Sequence, residues 1–387
     1  MAKQDIPYSS LNTPAVLINM DKLDENIERM SQPALDAGLR LRPHVKVHQT
    51  AAIARMQVEA GAIGIEVGPL EQAEAMAEEG FDDIIVAHPF FGNHKMEVLK
   101  RLHSRPQLKI GVVVDMFEQA ERISQVGLAV GKKVPVYMKV EYGGNPRYGV
   151  LPGEPALNLA RKLTQLQWID FVGIYAHEMG VTPTEEGVEK VAFQCASTVA
   201  ETVRMLRSHG IPVENASVGA SCTYPATCHY IKEGKFPEIT EVHPGNFVIG
   251  DIGYMMERAN TRETCALTVL TTVVSTSHAN FAVIDAGYKT FGADSLIGNR
   301  KTSGFFWQGK PSFGSVEGRP DLWLGRLCAE VSCVYYKTPQ KKLNLGDQLE
   351  IVPNNATLVI NLHDVLYGVR NGVIEMVMPV TGRGKGN

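Results

Sequence analysis

The sequence predicts an α/β protein: a (β/α)8 TIM-type barrel joined to a mostly antiparallel β domain. Two observations carry the barrel. Eight short runs rich in β-branched residues recur along the first two thirds of the chain, and stretches with helical spacing separate them. A third observation carries the second domain. After about residue 260 the runs alternate or stay apolar with no helical stretch between them, and Asn371-Gly372 forms a strong hairpin turn within the last.

The elements follow in order. The barrel strands are expected at 40–46, 63–68, 83–88, 109–115, 135–141, 171–178, 214–221 and 238–245. Helical spacing fills 22–38, 69–80, 116–129 and 184–210, the last opening at Thr184 after Pro183 and closing on Gly210. The β domain is expected from runs at 265–277, 280–287, 324–336, 347–363 and 365–380. The early run "AVLINM" at 15–20 precedes the first barrel strand, so it is free to pair with the C-terminal sheet and leave the barrel inserted between two pieces of the β domain. That gives a barrel at 21–258 and a β domain made of 1–20 plus 259–387. The Gly- and Ser-dotted stretch 286–320 reads as a long loop region.

Composition narrows the function. At 387 residues and 44% hydrophobic content the chain can bury a large core. A formal net charge of −4 provides no basic stripe for a polyanion, and no Arg/aromatic interleaving suits single-stranded nucleic acid, so nucleic acid is not an expected partner. No stretch reaches the roughly 18 uninterrupted apolar residues of a membrane span, and a cytoplasmic location is expected. The six cysteines contain no C-x-x-C pair, which fits reduced, mostly buried thiols better than a disulfide frame or a zinc cage.

Barrel enzymes place their chemistry at the carboxyl ends of the strands. The polar residues expected there are Lys46, His88, Asp115, Arg147, His177, Ser221 and His243. A solitary strand-end lysine ordinarily snorkels to water. Beside histidines and an arginine, a desolvated Lys46 instead has a lowered pKa and can form a Schiff base with an aldehyde. "VGASCTYPA" and "PGN" are short turns of the kind that aim backbone N–H groups at a phosphate, which makes Gly219, Ala220, Ser221, Gly245 and Asn246 candidate phosphate-binding residues.

"RPHVKVHQ", "GNPRYGV", "GIYAHE", "SVGAS", "EVHPGNF" and "NLHD…VRNG" occur in one order over nearly the whole chain. Together they resemble the D-threonine aldolase and D-serine dehydratase family, within the alanine-racemase-like, fold type III group of pyridoxal-phosphate enzymes. The resemblance implies that Lys46 carries pyridoxal 5′-phosphate as a Schiff base. His48 is then a contact to cofactor or substrate and His44 structural. Arg147 approaches the phenolic oxygen of the cofactor, Tyr175 and His177 lie against its ring, and His243 stands where racemases of this group place an arginine against the pyridine nitrogen. The β domain closes the active site across a homodimer.

The metal-dependent relatives carry a His-x-Cys or His-x-Asp pair shortly before "NLHD". Here those positions are Asn355 and Thr357, neither a good zinc ligand, so no metal is assigned. The reading is a pyridoxal-phosphate-dependent lyase, an aldolase cleaving Cα–Cβ of D-threonine-like β-hydroxy-α-amino acids, with His363, or His88 from the barrel mouth, as a candidate base. The alternatives are an amino-acid racemase or hydroxyamino-acid dehydratase on the same scaffold, and a pyridoxal-phosphate carrier without turnover.

Overall fold

The computed structural model describes residues 6–143, 147–179, 181–293, 306–307, 310–338 and 341–386. The chain divides into two compact units. One comprises 1–26, 47–52 and 246–383; the other comprises 27–46, 53–245 and 384–387.

The second unit is the barrel. With the chain's first strand, Ala15–Asn19, counted as β1, its strands are β2 (Arg40–Leu41), β3 (Ile65–Val67), β4 (Asp83–Val86), β5 (Lys109–Val114), β6 (Val134–Lys139), β7 (Ile169–Tyr175), β8 (Asn215–Val218) and β9 (Glu241–Val242). Each lies inside or within two residues of a run picked out by its β-branched content. They form one parallel sheet in the order β2-β9-β8-β7-β6-β5-β4-β3. The chain just beyond β2 meets β3 through a parallel bridge between His44 and Glu66. Glu66 N–H donates to Pro43 O at 2.9 Å and Val45 N–H to Glu66 O at 2.8 Å, and these bonds close the ring.

The strands are buried nearly throughout, which is why they read as continuous apolar runs rather than alternating ones. Inside the barrel Ile85, Ala87, Val113, Tyr137 and Tyr175 pack as one cluster. The helix expected at 184–210 spans Glu185–Ser208. The Thr184 side chain caps it by accepting the N–H of Gly187, and Gly210 follows it with φ 76°.

The other unit is built on a nine-stranded sheet, with β10 (Leu267–Ser275), β11 (Phe281–Ile284), β12 (Phe306–Trp307), β13 (Lys310–Pro311), β14 (Gly314–Val316), β15 (Leu322–Leu327), β16 (Ser332–Tyr336), β17 (Gln348–Pro353), β18 (Val365–Arg370) and β19 (Val373–Pro379) as the strands that follow the barrel. The pair β12 and β13 forms a separate two-stranded sheet. The early strand does join this unit: β1 runs antiparallel to β10, Val16 opposite Val269, and parallel to β18, Leu17 opposite Tyr367. Asn371 and Gly372 both take positive φ, 52° and 78°, as a two-residue hairpin turn requires.

Two expectations need correction. The run 347–363 is not one strand: β17 ends at Pro353, Asn355 caps a helix over Ala356–Asn361, and an Asx side chain accepting an N–H three residues on is what turns the apolar stretch helical. The run 324–336 is two antiparallel strands, β15 and β16, with a register shift between Leu324 and Arg326. Of the stretch 286–320, residues 294–305 and 308–309 lie outside the described residues.

Candidate active site

Lys46 sits in the turn directly after the bridge residue His44. Burial lowers its ammonium from the ordinary lysine value to about 8, against the pull of the Glu66 carboxylate, and Arg147 adds a smaller push in the same direction as burial. A lysine so placed is partly a neutral amine near neutral pH, the form that attacks an aldehyde.

Glu66 is fully buried on β3 and was not singled out in the sequence. Its Oε1 accepts the Tyr175 hydroxyl at 2.9 Å and faces His44 Nε2 at 3.4 Å. His44 Nδ1 stands 3.2 Å from the Glu66 carbonyl oxygen. Burial holds His44 neutral, so its one N–H serves only one of these contacts, and its work is to brace Glu66.

Tyr175, at the end of β7, stacks on the His243 ring at 4.4 Å between centroids and 13° between planes. His243 Nδ1 is 2.7 Å from Ser217 Oγ, and its Nε2 is 3.2 Å from His177 Nδ1. Burial first, then neighbouring charges, holds both histidines well below the ordinary imidazole value. They form a neutral serine–histidine–histidine chain beside the tyrosine.

Of the phosphate candidates in this unit, Ser221 and Gly245 are joined: Gly245 N–H donates to Ser221 Oγ at 3.1 Å. Gly219, at φ 107°, needs its missing Cβ, which would stand 3.0 Å from Tyr224 Cβ. Gly219 and Ala220 differ from expectation in one respect. Their N–H groups both donate to Glu178 Oε2, at 3.0 and 2.9 Å, so a carboxylate of this chain already fills that part of the turn. Glu178 follows His177 directly, and burial pushes its carboxyl up despite these donors.

Lys139, at the end of β6, lies 3.8 Å above the Tyr148 ring, and burial followed by Arg147 lowers it to about 8. Arg147 is exposed and close enough to act electrostatically on both lysines; residues 144–146 of its turn lie outside the described residues. His88 is held at about 4 by burial and by Lys46, a neutral ring edge-on to His44 and Tyr148. Asp115 braces the neighbouring loop, accepting Gly149 N–H at 2.9 Å and the Gln119 amide at 3.0 Å.

His48, Asn246 and His363 belong to the other unit. His48 is fully buried, its Nδ1 accepting Thr50 N–H at 3.3 Å. The Asn246 amide donates to Asp251 at 2.9 Å. His363 Nε2 meets Thr290 O at 3.3 Å, and burial lowers its pKa. Asn355 Oδ1 accepts Leu358 N–H at 3.2 Å as a helix cap, and Thr357 lies in that helix's first turn. An amide already used as a cap and a hydroxyl are a poor donor set for a divalent ion, and among the described residues no three His, Cys, Asp or Glu cluster as metal ligands.

Sequence reasoning missed Glu66, Lys139, Glu178 and Ser217. The signal for the first two was a charged residue inside an apolar strand run, "IGIEVG" and "PVYMKVE", which a buried strand accepts only with partners.

The chain belongs to the family described as alanine racemase, N-terminal domain, whose model matches residues 18–252. Residues 266–369 match the model of a putative serine dehydratase domain. A 3-hydroxy-D-aspartate aldolase of Paracoccus denitrificans is 28% identical, over 98% of this chain and 94% of its own. A D-threo-3-hydroxyaspartate dehydratase of Delftia is 27% identical, over 90% and 91%. Among solved structures, a D-threonine aldolase from Filomicrobium marinum covers the whole of both chains, with a TM-score of 0.86 at 26% identity.

Proposed function

We propose that the chain is a pyridoxal-phosphate-dependent lyase that cleaves the Cα–Cβ bond of D-configured β-hydroxy-α-amino acids, with Lys46 as the lysine that carries the cofactor. The observation that carries the reading is the buried Lys46 amine, drawn down to about 8 at the end of the barrel's first strand. The family membership supports the cofactor, and the aldolase relatives support the reaction.

The residues fit such a cofactor. Lys46 offers the amine for an aldehyde, the stacked Tyr175 and His243 offer flat surfaces for a ring, and Ser221 with Gly245 offers a hydroxyl and a glycine turn for a phosphate. Arg147 supplies a positive charge for a phenolate. When bound, pyridoxal phosphate supplies an electron sink conjugated to the substrate Cα. His243 is neutral, so it does not act as a cation toward the ring nitrogen, and the sink is gentler than one held protonated by a carboxylate. Retro-aldol cleavage also needs a group to take the β-hydroxyl proton. His363 and His88 are the candidates, each an imidazole kept neutral and proton-accepting by burial.

The unsuitable donors at Asn355 and Thr357 favour aldol cleavage over elimination, since a departing hydroxide gains most from a Lewis acid. Dehydratase and racemase readings follow as alternatives on the same lysine. The free thiols, four of them buried, suit the reducing cytoplasm, and a homodimer completes the proposal.

The test is product analysis by NMR of D-threonine incubated with cofactor-loaded protein in chelator. Glycine with acetaldehyde is expected. A 2-oxo acid would assign a dehydratase, an epimerised but intact skeleton a racemase, and no spectral response to any amino acid a carrier.

A further inference from the structure

Ser217, His243 and His177 meet at three neighbouring strand ends of the barrel. Ser217 on β8 lies in register with Tyr175 on β7 and Glu241 on β9, and His243 follows two residues after Glu241. Ala176 N–H donates to Ser217 O at 3.0 Å and His243 N–H to Val218 O at 3.1 Å, so the backbone fixes where these side chains start. Ser217 and His243 are fully buried, and the Tyr175 ring stacked 4.4 Å away holds the His243 ring in place. Among the described residues the Ser217 hydroxyl makes one hydrogen bond, with His243 Nδ1 at 2.7 Å. His243 Nε2 meets His177 Nδ1 at 3.2 Å. Tyr175 cannot join this chain, because its O–H is given to Glu66 Oε1 at 2.9 Å. His177 is only half-buried, and its Nε2 makes no hydrogen bond among the described residues. The chain has a closed end at Ser217 and an open end at His177 Nε2.

A neutral imidazole carries one N–H and one lone pair, so two arrangements of hydrogens satisfy both contacts. Burial, with the positive charges of Lys46 and Lys139, keeps both rings neutral. In the first arrangement Ser217 O–H donates to His243 Nδ1, His243 Nε2–H donates to His177 Nδ1, and His177 Nε2–H points away from the chain. In the second, both rings carry hydrogen on Nδ1: His177 donates to His243, His243 donates to Ser217 Oγ, and the serine hydrogen is left with no acceptor in a site closed to solvent. That unmet hydroxyl makes the second arrangement rarer by about tenfold or more.

We propose that Ser217 locks His243 and His177 as their Nε2–H tautomers. His177 is then a neutral hydrogen-bond donor at the barrel mouth, for an unprotonated oxygen or nitrogen of the ligand held at Lys46, and Ser217 is the positioning residue for that donor. His177 serves to hold a lone pair and not to take a proton. The ligand rests on the reading of Lys46 as the cofactor lysine; the lock does not.

The test uses the full chain with nitrogen-15 in its histidine rings, first stripped of cofactor and then loaded. Ring nitrogens with and without hydrogen resonate far apart, and the signals lost in His177→Gln and in His243→Gln assign each ring. Wild type is expected to carry hydrogen on Nε2 alone in both rings, and hydrogen on Nδ1 of either overturns the lock. Ser217→Ala removes the donor to His243 Nδ1. The bias of about tenfold then disappears, and Nδ1–H signals are expected in both rings together, because the bond between the rings ties their tautomers. Ser217→Thr keeps the hydroxyl and is expected to match wild type. A serine that only fills space leaves the tautomers of S217A unmoved, a result that overturns the proposal. If S217A fails to fold, Ser217→Cys serves: its weak S–H donor must let the Nδ1–H signals in, and an unchanged spectrum overturns the lock. Pyridoxal phosphate and then D-alanine, which has no β-hydroxyl to cleave, are added to wild type. A downfield shift of the hydrogen on His177 Nε2 at the first addition assigns the acceptor to the cofactor, and a shift only at the second assigns it to the amino acid. No shift at either overturns the donor role. Borohydride reduction separates the two readings: no pyridoxyl mass on the Lys46 peptide removes the cofactor role, while the lock stands or falls on the unloaded spectra.

Discussion

Replacing Glu178 by alanine exposes how the turn after β8 is held. The substitution removes the acceptor of two buried N–H groups, Gly219 at 3.0 Å and Ala220 at 2.9 Å. A buried donor left without its acceptor costs about 1–3 kcal/mol. The two share one oxygen, and the alanine variant also escapes burying a carboxyl, so the local cost is about 2–4 kcal/mol. Amide hydrogen exchange of the peptide covering 214–228 in the cofactor-free chain reads this directly. About thirty- to a thousandfold faster exchange at Gly219 and Ala220 is expected, at about 1.4 kcal/mol per tenfold. Inorganic phosphate should slow it again, since the freed donors are an anion site. Glu178→Gln, which keeps an acceptor, should lose about 1 kcal/mol.

The pH dependence has a definite sign. Burial holds the folded-state Glu178 carboxyl above its unfolded value, so its contribution is complete below the unfolded value and is lost as pH rises through the folded one. Glutamine has no such loss, so the gap between wild type and E178Q narrows as pH climbs out of the carboxylate range. Exchange in E178A indistinguishable from wild type, at every pH and with or without phosphate, would refute the assignment of those N–H groups to Glu178.

Lys46→Ala should abolish the absorption band of lysine-bound cofactor, and a retained, borohydride-reducible band would remove Lys46 from its role. Asn355→His combined with Thr357→Cys supplies an imidazole and a thiolate where an amide and a hydroxyl stand; isothermal titration with zinc should then show a binding event that wild type lacks, at some cost to the cap that Asn355 now provides. Thr184→Ala removes the cap of the helix Glu185–Ser208 and should lower barrel stability by about 1 kcal/mol in urea unfolding, whereas Thr184→Ser should be nearly silent.

Much of this protein was legible along the chain. The barrel strands, the cap at Thr184, the hairpin at Asn371-Gly372 and the return of residues 15–19 to the C-terminal sheet all follow from signals spanning a few residues: β-branched runs, a capping threonine, a glycine free to take positive φ. The burial of Lys46 had a local signal too, since a lysine set between histidines beside an apolar strand is unusual. The helix Ala356–Asn361 was not legible. Its apolar residues fit a strand equally well, and only the Asn355 cap decides between them.

What only the tertiary structure decided is the company each polar group keeps. Glu66 and Tyr175 are 109 residues apart and Glu178 and Ala220 are 42 apart, and each pair meets because the barrel brings strand ends that are distant in sequence to one rim. The same burial sets the charges. Lys46 and Glu66 converge near 8 and the histidines stay neutral because the folded ring removes water from them, and no pattern within a short window of residues encodes how much water is removed. Local sequence determined which chemical groups the barrel carries, and closure of the barrel determined which of them lose water and which partners they meet.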